Sequence, residues 1–299
     1  MPTLLEAIRK NPLVGDGAMG TQLQIAGLEP GGCGEGWNVQ QPEQIEKIQR
    51  KYVEAGSDIL LTNTFGGCRI MLERHGLANK VSEINQEGVA IARRAFGSQG
   101  GYVLGDIGPF GGLMEPYGDI RPQDVQAAFQ EQAQALIQGG ADGIIIETQT
   151  SLEELRLGIE AAQQANAPCV VASMAFDITR DGSEARTMMG IDPETAAQFM
   201  ASMGVDVAGL NCGSGIDMEW AAQIARRYSR VLKDVPIMAQ PNAGLPELIK
   251  LQVVYKQTPK EMAADLDQLL EAGARIVGGC CGSTPAHLAE IRHKIDQLT

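Results

Sequence analysis

Aromatic residues make up only 4% of this 299-residue chain, so a cage of stacked rings has few side chains to draw on. Cations are scarce too. Against 37 Asp and Glu stand 24 Lys and Arg, and the formal charge of -13 repels phosphate backbones and anionic membrane surfaces alike. Nucleic acid and membrane are therefore not expected partners. No apolar run approaches roughly 18 residues, and the opening MPTLLEAIRKNPLVGDG reads as a short amphipathic helix broken by Pro12 rather than a signal peptide. The expected location is the cytoplasm. Disulfides are rare in such a reducing compartment, so clustered cysteines there are more often metal ligands or catalytic thiols than staples. No linker, low-complexity tract or charge block interrupts the chain, and residues 1–299 read as one domain.

What the chain does have is repetition. Eight short apolar segments end in polar or glycine-rich turns: LVGDG (13–17), DILLTNTF (58–65), YVLGDIG (102–108), GIIIETQT (143–150), CVVASMAF (169–176), VDVAGLNCG (205–213), VPIMAQPN (235–242) and RIVGGCCG (275–282). Near-continuous apolar runs mark strands covered on both faces. Between them lie stretches with apolar residues three and four apart, opening at Pro42, Pro122, Ser151, Asp192 and Thr258, with glycines such as Gly56, Gly139, Gly204 and Gly273 at their ends. Strand then helix, eight times over, predicts an α/β fold of the (β/α)8 TIM-barrel type; a doubly wound sheet usually offers fewer units.

In such a barrel the working face lies at the C-terminal ends of the strands. Asp16, Asn63, Asp106, Glu147, Asn211, Cys212, Gln240, Asn242, Cys280 and Cys281 all fall just after apolar runs and should converge there. Glycines flank the Cys280–Cys281 pair, which lets backbone approach an ion closely. Cys33, Cys68 and Cys169 read instead as small buried or loop residues. A disulfide between adjacent residues is geometrically awkward. Three thiolates from two strand ends, with no Cys-x-x-Cys spacing anywhere, match a zinc that keeps a fourth position open. Such a site suits attack by a bound thiol on an electrophilic carbon, while a structural clamp or a redox-sensing zinc barrel remains the non-enzymatic alternative.

GDGAMGTQLQ (15–24), TNTFG (62–66), DIGPFGGLMEPYGD (106–119), IIIETQTSLEEL (144–155), GLNCG (209–213), AQPNAGLP (239–246) and GGCCGSTPAHL (278–288) resemble the homocysteine S-methyltransferase family, especially the homocysteine-binding module of its cobalamin-dependent methionine synthases. The likeness runs from about residue 13 to about residue 290. It implies a zinc-dependent barrel that methylates homocysteine to methionine. It places Cys212, Cys280 and Cys281 as the zinc ligands, the amides around Gly17 and Ala18 at the amino acid's carboxylate, and Asp16 and Glu147 at its ammonium. A zwitterion needs donors on one side and anions on the other. Asn242 resembles a residue that reaches the zinc when the substrate thiol is absent, and is also a plain turn residue before Ala-Gly. Asn63 and Asn211 either orient the site or bond neighbouring strand-end backbone. His287 falls inside the match, as a site neighbour or a packing residue of the last helix.

The methyl donor is the least constrained part. The Asp-x-His-x-x-Gly signature of corrinoid carriers is absent and few residues follow Cys281, so the chain is expected to be a methyl-accepting barrel alone. The greater likeness to the cobalamin-dependent module, in PNAGLP and EPYGD, points to an external donor: methylcobalamin, free or on a separate corrinoid protein. The alternatives are S-methylmethionine or betaine as donor, or another thiol as acceptor. Trp37 and Tyr117 could stack on a cationic donor or simply anchor loops, and Arg186 could meet an anion in a loop that otherwise reads as a polar turn around Asp181 and Gly182.

Overall fold

Each of the eight runs becomes a strand. The computed structural model describes residues 1–249 and 252–298. Its strands are β1 (Leu13–Val14), β2 (Ile59–Leu61), β3 (Tyr102–Ile107), β4 (Gly143–Gln149), β5 (Val170–Met174), β6 (Asp177–Ile178), β7 (Ala185–Arg186), β8 (Val207–Asn211), β9 (Ile237–Gln240), β10 (Pro246–Ile249), β11 (Gln252–Tyr255) and β12 (Ala274–Val277). Eight of them form one parallel sheet, ordered β2, β3, β4, β5, β8, β9, β12, β1. Only two residues of β1 are strand, so two aspartate side chains and one backbone bond close the remaining seam between β1 and β2. Val14 N–H donates to the Asp58 carboxylate at 2.8 Å, Asp58 N–H donates to the Val14 carbonyl at 2.7 Å, and Leu61 N–H donates to Asp16 Oδ2 at 2.8 Å. The result is the expected (β/α)8 barrel.

The Asp58 contact is one of three copies of a single device. Gly56, Gly140 and Gly204 leave their helices at φ of 97°, 90° and 68°, a region that costs a residue with a Cβ, and an aspartate follows two positions later. Asp58, Asp142 and Asp206 then accept from Val14 of β1, Val103 of β3 and Val170 of β5, at 2.8, 2.7 and 2.8 Å. Each turn thereby sets the register of two strands. At Gly139, expected to close its helix, the backbone is still right-handed, and the reversal falls on Gly140.

One end of the barrel is plugged. The N-terminal helix Leu4–Lys10, fixed by a capping box between Thr3 and Glu6, lays Leu4 and Ile8 against an interior layer that includes Ile59, Leu104, Ile145 and Ile276. Burying two such side chains is worth about 1.5–3 kcal/mol each. The larger core lies between strands and helices. With one end sealed by this helix, the mouth lies at the C-terminal strand ends.

Two features were not anticipated. Two antiparallel hairpins, β6–β7 after β5 and β10–β11 after β9, stand over the mouth. The helix expected from Thr258 is broken into Pro259–Met262 and Leu266–Glu271. No described helix is long and apolar enough to cross a membrane.

Candidate metal centre

Cys212 follows the last residue of β8, and its φ of 57° is unusual for a residue with a side chain. Gly213 continues the turn at φ 85°, where an added Cβ would lie 1.6 Å from the Phe176 carbonyl oxygen. Cys280 and Cys281 reach the same place from β12. Gly278 N–H bonds the Ala239 carbonyl and Gly279 N–H the Asp16 carbonyl, which threads the loop between β9 and β1. A Cβ at Gly279 would meet Ser283 Oγ at 2.5 Å, so the glycines before the cysteine pair serve close approach.

The three sulfurs lie within 4.8 Å of one another, with Cys212 and Cys281 3.7 Å apart, and all are free thiols. Adjacent corners of a tetrahedron with Zn–S bonds of ~2.3 Å are about 3.8 Å apart, so the spacing fits zinc. Cys281 is drawn down to about 3 by hydrogen bonds from the Cys212 and Cys280 thiols; burial opposes the shift and the Tyr255 hydroxyl assists it. One thiolate is thus favoured even without a cation. Asn242 lies against both cysteines through its neighbours: Cys280 N–H donates to the Pro241 carbonyl and Ala243 N–H to the Cys281 carbonyl. Its Nδ2 donates to the Gly213 carbonyl at 2.7 Å, while its buried Oδ1 has no partner. A buried oxygen without a partner, on the residue between two that bond the cysteines' backbone, fits a place made for a cation.

Across the mouth stand three buried carboxyl groups. Asp16 follows β1, Asp106 lies in β3 and Glu147 in β4. Burial raises all three above the ordinary carboxylate range, Glu147 to about 7. Asp106 and Glu147 lie close enough to act on each other's protonation, and Asp106 Oδ1 has no hydrogen-bond partner. No described Lys, Arg or His forms an ion pair with any of the three. Buried acids without a counter-charge either hold protons or await a cationic ligand.

The other expected residues are distributed around these two groups. Gly17 is pressed against Ser283, Leu288 and Tyr52, and Ala18 N–H donates to Ser283 Oγ at 3.1 Å. Asn63 gives its amide hydrogens to the Gly34 carbonyl and Asn38 Oδ1, tying residues 34–38 to the mouth. Gln240 is buried at the end of β9. His287 anchors the start of the last helix, with Nδ1 on Thr284 and Nε2 on the Gln257 carbonyl. Trp37, 8% exposed, opens the short helix Trp37–Gln40 and belongs to the core rather than to a loop, whereas Tyr117 is 80% exposed. Arg186 pairs with Glu184 and Asp192, as a turn residue does. Sequence reasoning missed Tyr255, brought over Cys281 by the β10–β11 hairpin, and Ser283, which links Ala18 N–H to the Cys280 carbonyl.

A family model described as homocysteine S-methyltransferase matches residues 13–295. The methionine synthases of Mycobacterium tuberculosis and Mycobacterium leprae are 35% and 34% identical to the chain over 303 residues, each alignment covering 96% of it. The chain spans about a quarter of the length of these curated relatives, 25% and 24%. Among solved structures, the homocysteine methyltransferase MmuM from Escherichia coli in its metallated form superposes with a TM-score of 0.77 at 22% identity, covering 96% of this chain and 97% of that one. Its oxidized form gives 0.79 at 23%, covering 97% and 99%.

Proposed function

The chain belongs to the homocysteine S-methyltransferase family, and on that premise we propose that it methylates the thiol of homocysteine to give methionine. The observation that carries the reading is the pairing of two groups in one mouth: three convergent thiols, and a cluster of buried acids with no cation. A molecule with a thiol at one end and an ammonium at the other satisfies both. We read residues 1–299 as one barrel unit performing this step, and its free thiols suit a reducing cytoplasm.

Cys212, Cys280 and Cys281 would hold zinc. Bound there, zinc would lower the pKa of an incoming thiol from about 8.5 so that it is a thiolate at neutral pH. The chain's own residues do the rest. Asp16 and Glu147, with Asp106 beside them, take the ammonium, and the turn at Gly17 and Ala18 faces the carboxylate. Asn242 would occupy the open position when substrate is absent, a role that its unpartnered Oδ1 supports. Asn63 holds the wall formed by residues 34–38. The substrate sulfur then attacks the donor's methyl carbon: an S–C bond forms, the donor–methyl bond breaks, and its electron pair leaves with the donor. Attack in line requires the two centres to be held face to face.

For the donor, a methylated corrinoid, free as methylcobalamin or carried by a separate protein, is the better supported choice. Phe65, Leu113, Tyr117, Met188, Met189 and Leu245 are exposed, and all lie in loops that follow barrel strands. An apolar rim around the mouth suits a large docking partner. A small sulfonium or ammonium donor would want a closed cage of rings, and Trp37 is spent in the core. The test is methionine formation from homocysteine with methylcobalamin, S-methylmethionine and betaine under identical conditions. Turnover with the corrinoid is expected; fast turnover with a small donor and none with the corrinoid would overturn the donor assignment. Absence of methionine with every donor, in a zinc-loaded protein, would remove the activity itself.

A further inference from the structure

Asn211 is the last residue of β8 and the neighbour of Cys212. Every hydrogen-bonding position of its side-chain amide that faces the mouth is used. Oδ1 accepts from Thr148 N–H at 3.0 Å and from Ser173 Oγ at 2.6 Å, while Nδ2 donates to Thr148 Oγ1 at 2.7 Å and to Glu147 Oε2 at 3.3 Å. An amide offers two lone pairs and two hydrogens, so the group is saturated. Its partners lie on β4 and β5, yet β4 and β8 are not ladder neighbours, because β5 runs between them. Asn211 therefore links three consecutive strand ends across the inside of the mouth.

The bridge also lies between two strained residues. Thr148 has φ 59° and Cys212 φ 57°, and each costs of the order of 1 kcal/mol or more unless its surroundings over-determine it. For Thr148 those surroundings are Asn211 itself, bonded to both its backbone and its hydroxyl. One side chain thus fixes where the Glu147 carboxyl stands relative to the Cys212 sulfur.

We propose that Asn211 is a positioning residue that sets the distance between the ammonium pocket and the thiol site, and so selects the chain length of the thiol amino acid accepted. The proposal rests on the reading of Glu147 as an ammonium partner and Cys212 as a metal ligand. Homocysteine spans that distance, and cysteine is one methylene shorter. A single methylene is worth roughly 10- to 200-fold in selectivity, so a bridge that blurs the spacing should cost about tenfold in preference.

The test compares wild type with Asn211→Ser and with Ser173→Ala, which removes only the 2.6 Å bond and serves if the first variant folds poorly. Zinc content and the absorption spectrum of the cobalt-substituted protein are read without substrate. Dissociation constants for homocysteine and cysteine are then read by calorimetry. The expected result is retained metal, a homocysteine-to-cysteine preference reduced about tenfold in Asn211→Ser and less in Ser173→Ala, and a non-additive double-mutant cycle between Asn211→Ser and Glu147→Gln. An unchanged preference in both variants, or equal loss for the two acids, would overturn the proposal while leaving the activity intact. Wild-type protein that binds neither acid would overturn the functional reading and this inference with it.

Discussion

Cys212, Cys280 and Cys281 stand on backbone made of turns, whereas Asp106 and Glu147 stand within strands and Asp16 follows β1 after Gly15. On the thiol side Cys212, Gly213 and Gly282 all have positive φ, and Gly278 and Gly279 approach other backbone and Ser283 too closely for a side chain. On the acid side a single positive φ, at Thr148, interrupts the strand geometry, and the larger departure is electrostatic: three buried carboxyl groups press against each other with no cation. One half of the mouth stores its specificity in chain geometry, the other in unsatisfied charge. The two halves should therefore fail differently when perturbed.

The largest effect is expected on the thiol side. Cys280→Ser or Cys212→Ser should abolish stoichiometric zinc, about one per chain in the parent, and lower methyl transfer by at least about a hundredfold. The barrel should stay folded, because its core lies elsewhere. Metal analysis with far-ultraviolet circular dichroism checks this, and full zinc in Cys280→Ser would remove it from the ligand set. On the acid side Glu147→Gln should keep its zinc and bind homocysteine about 10- to 100-fold more weakly, the range for losing a hydrogen bond to a charged partner. Unchanged affinity by calorimetry would put Glu147 outside the pocket.

A smaller effect separates the halves by pH. Burial holds the Glu147 carboxyl at about 7, against 4.5 for an unperturbed one, and Asp16 and Asp106 are raised in the same direction. Between those pH values the folded state keeps a proton that the unfolded chain has released. The metal-free protein should therefore lose stability as pH rises from about 4.5 to about 7, the interval over which Glu147 contributes. Urea denaturation across that interval should show the decline in wild type and a flatter profile in Glu147→Gln. Identical profiles would mean that Glu147 is not the group titrating. Least affected should be Tyr255→Phe, which removes one hydroxyl from Cys281. Zinc affinity measured against a competing chelator should change by no more than about tenfold, and loss of the metal would make Tyr255 a much larger part of the site than its single contact suggests.

The two halves also differed in how far they could be read from sequence. The thiol side was legible because adjacent cysteines between glycines are rare and local: residues 278–282 carry their own explanation. The barrel was legible because eight doubly covered strands must be apolar throughout. The runs overstated strand length, since DILLTNTF spans 58–65 but only Ile59–Leu61 is strand. There the chain leaves the sheet to deliver Asn63 and Thr64 to the mouth, where Thr64 Oγ1 bonds the Asp106 carbonyl. The strand-end pattern placed Asp16, Asp106 and Glu147 at the mouth and family likeness gave Asp16 and Glu147 their ammonium role, while the closeness of Asp106 to Glu147 has no sequence signal. Tyr255 was invisible for a similar reason, because only a hairpin that pairs Pro246 with Tyr255 sets it over Cys281.

The central claim is that one substrate molecule bridges the two halves, sulfur to the thiols and ammonium to the acids. X-ray absorption at the zinc edge counts sulfur neighbours directly. The account predicts three sulfurs in the zinc-loaded protein alone and four after adding homocysteine, with Glu147→Gln requiring more homocysteine to reach four. A zinc that shows four sulfurs from the start, or three that never become four at saturating homocysteine, would contradict it.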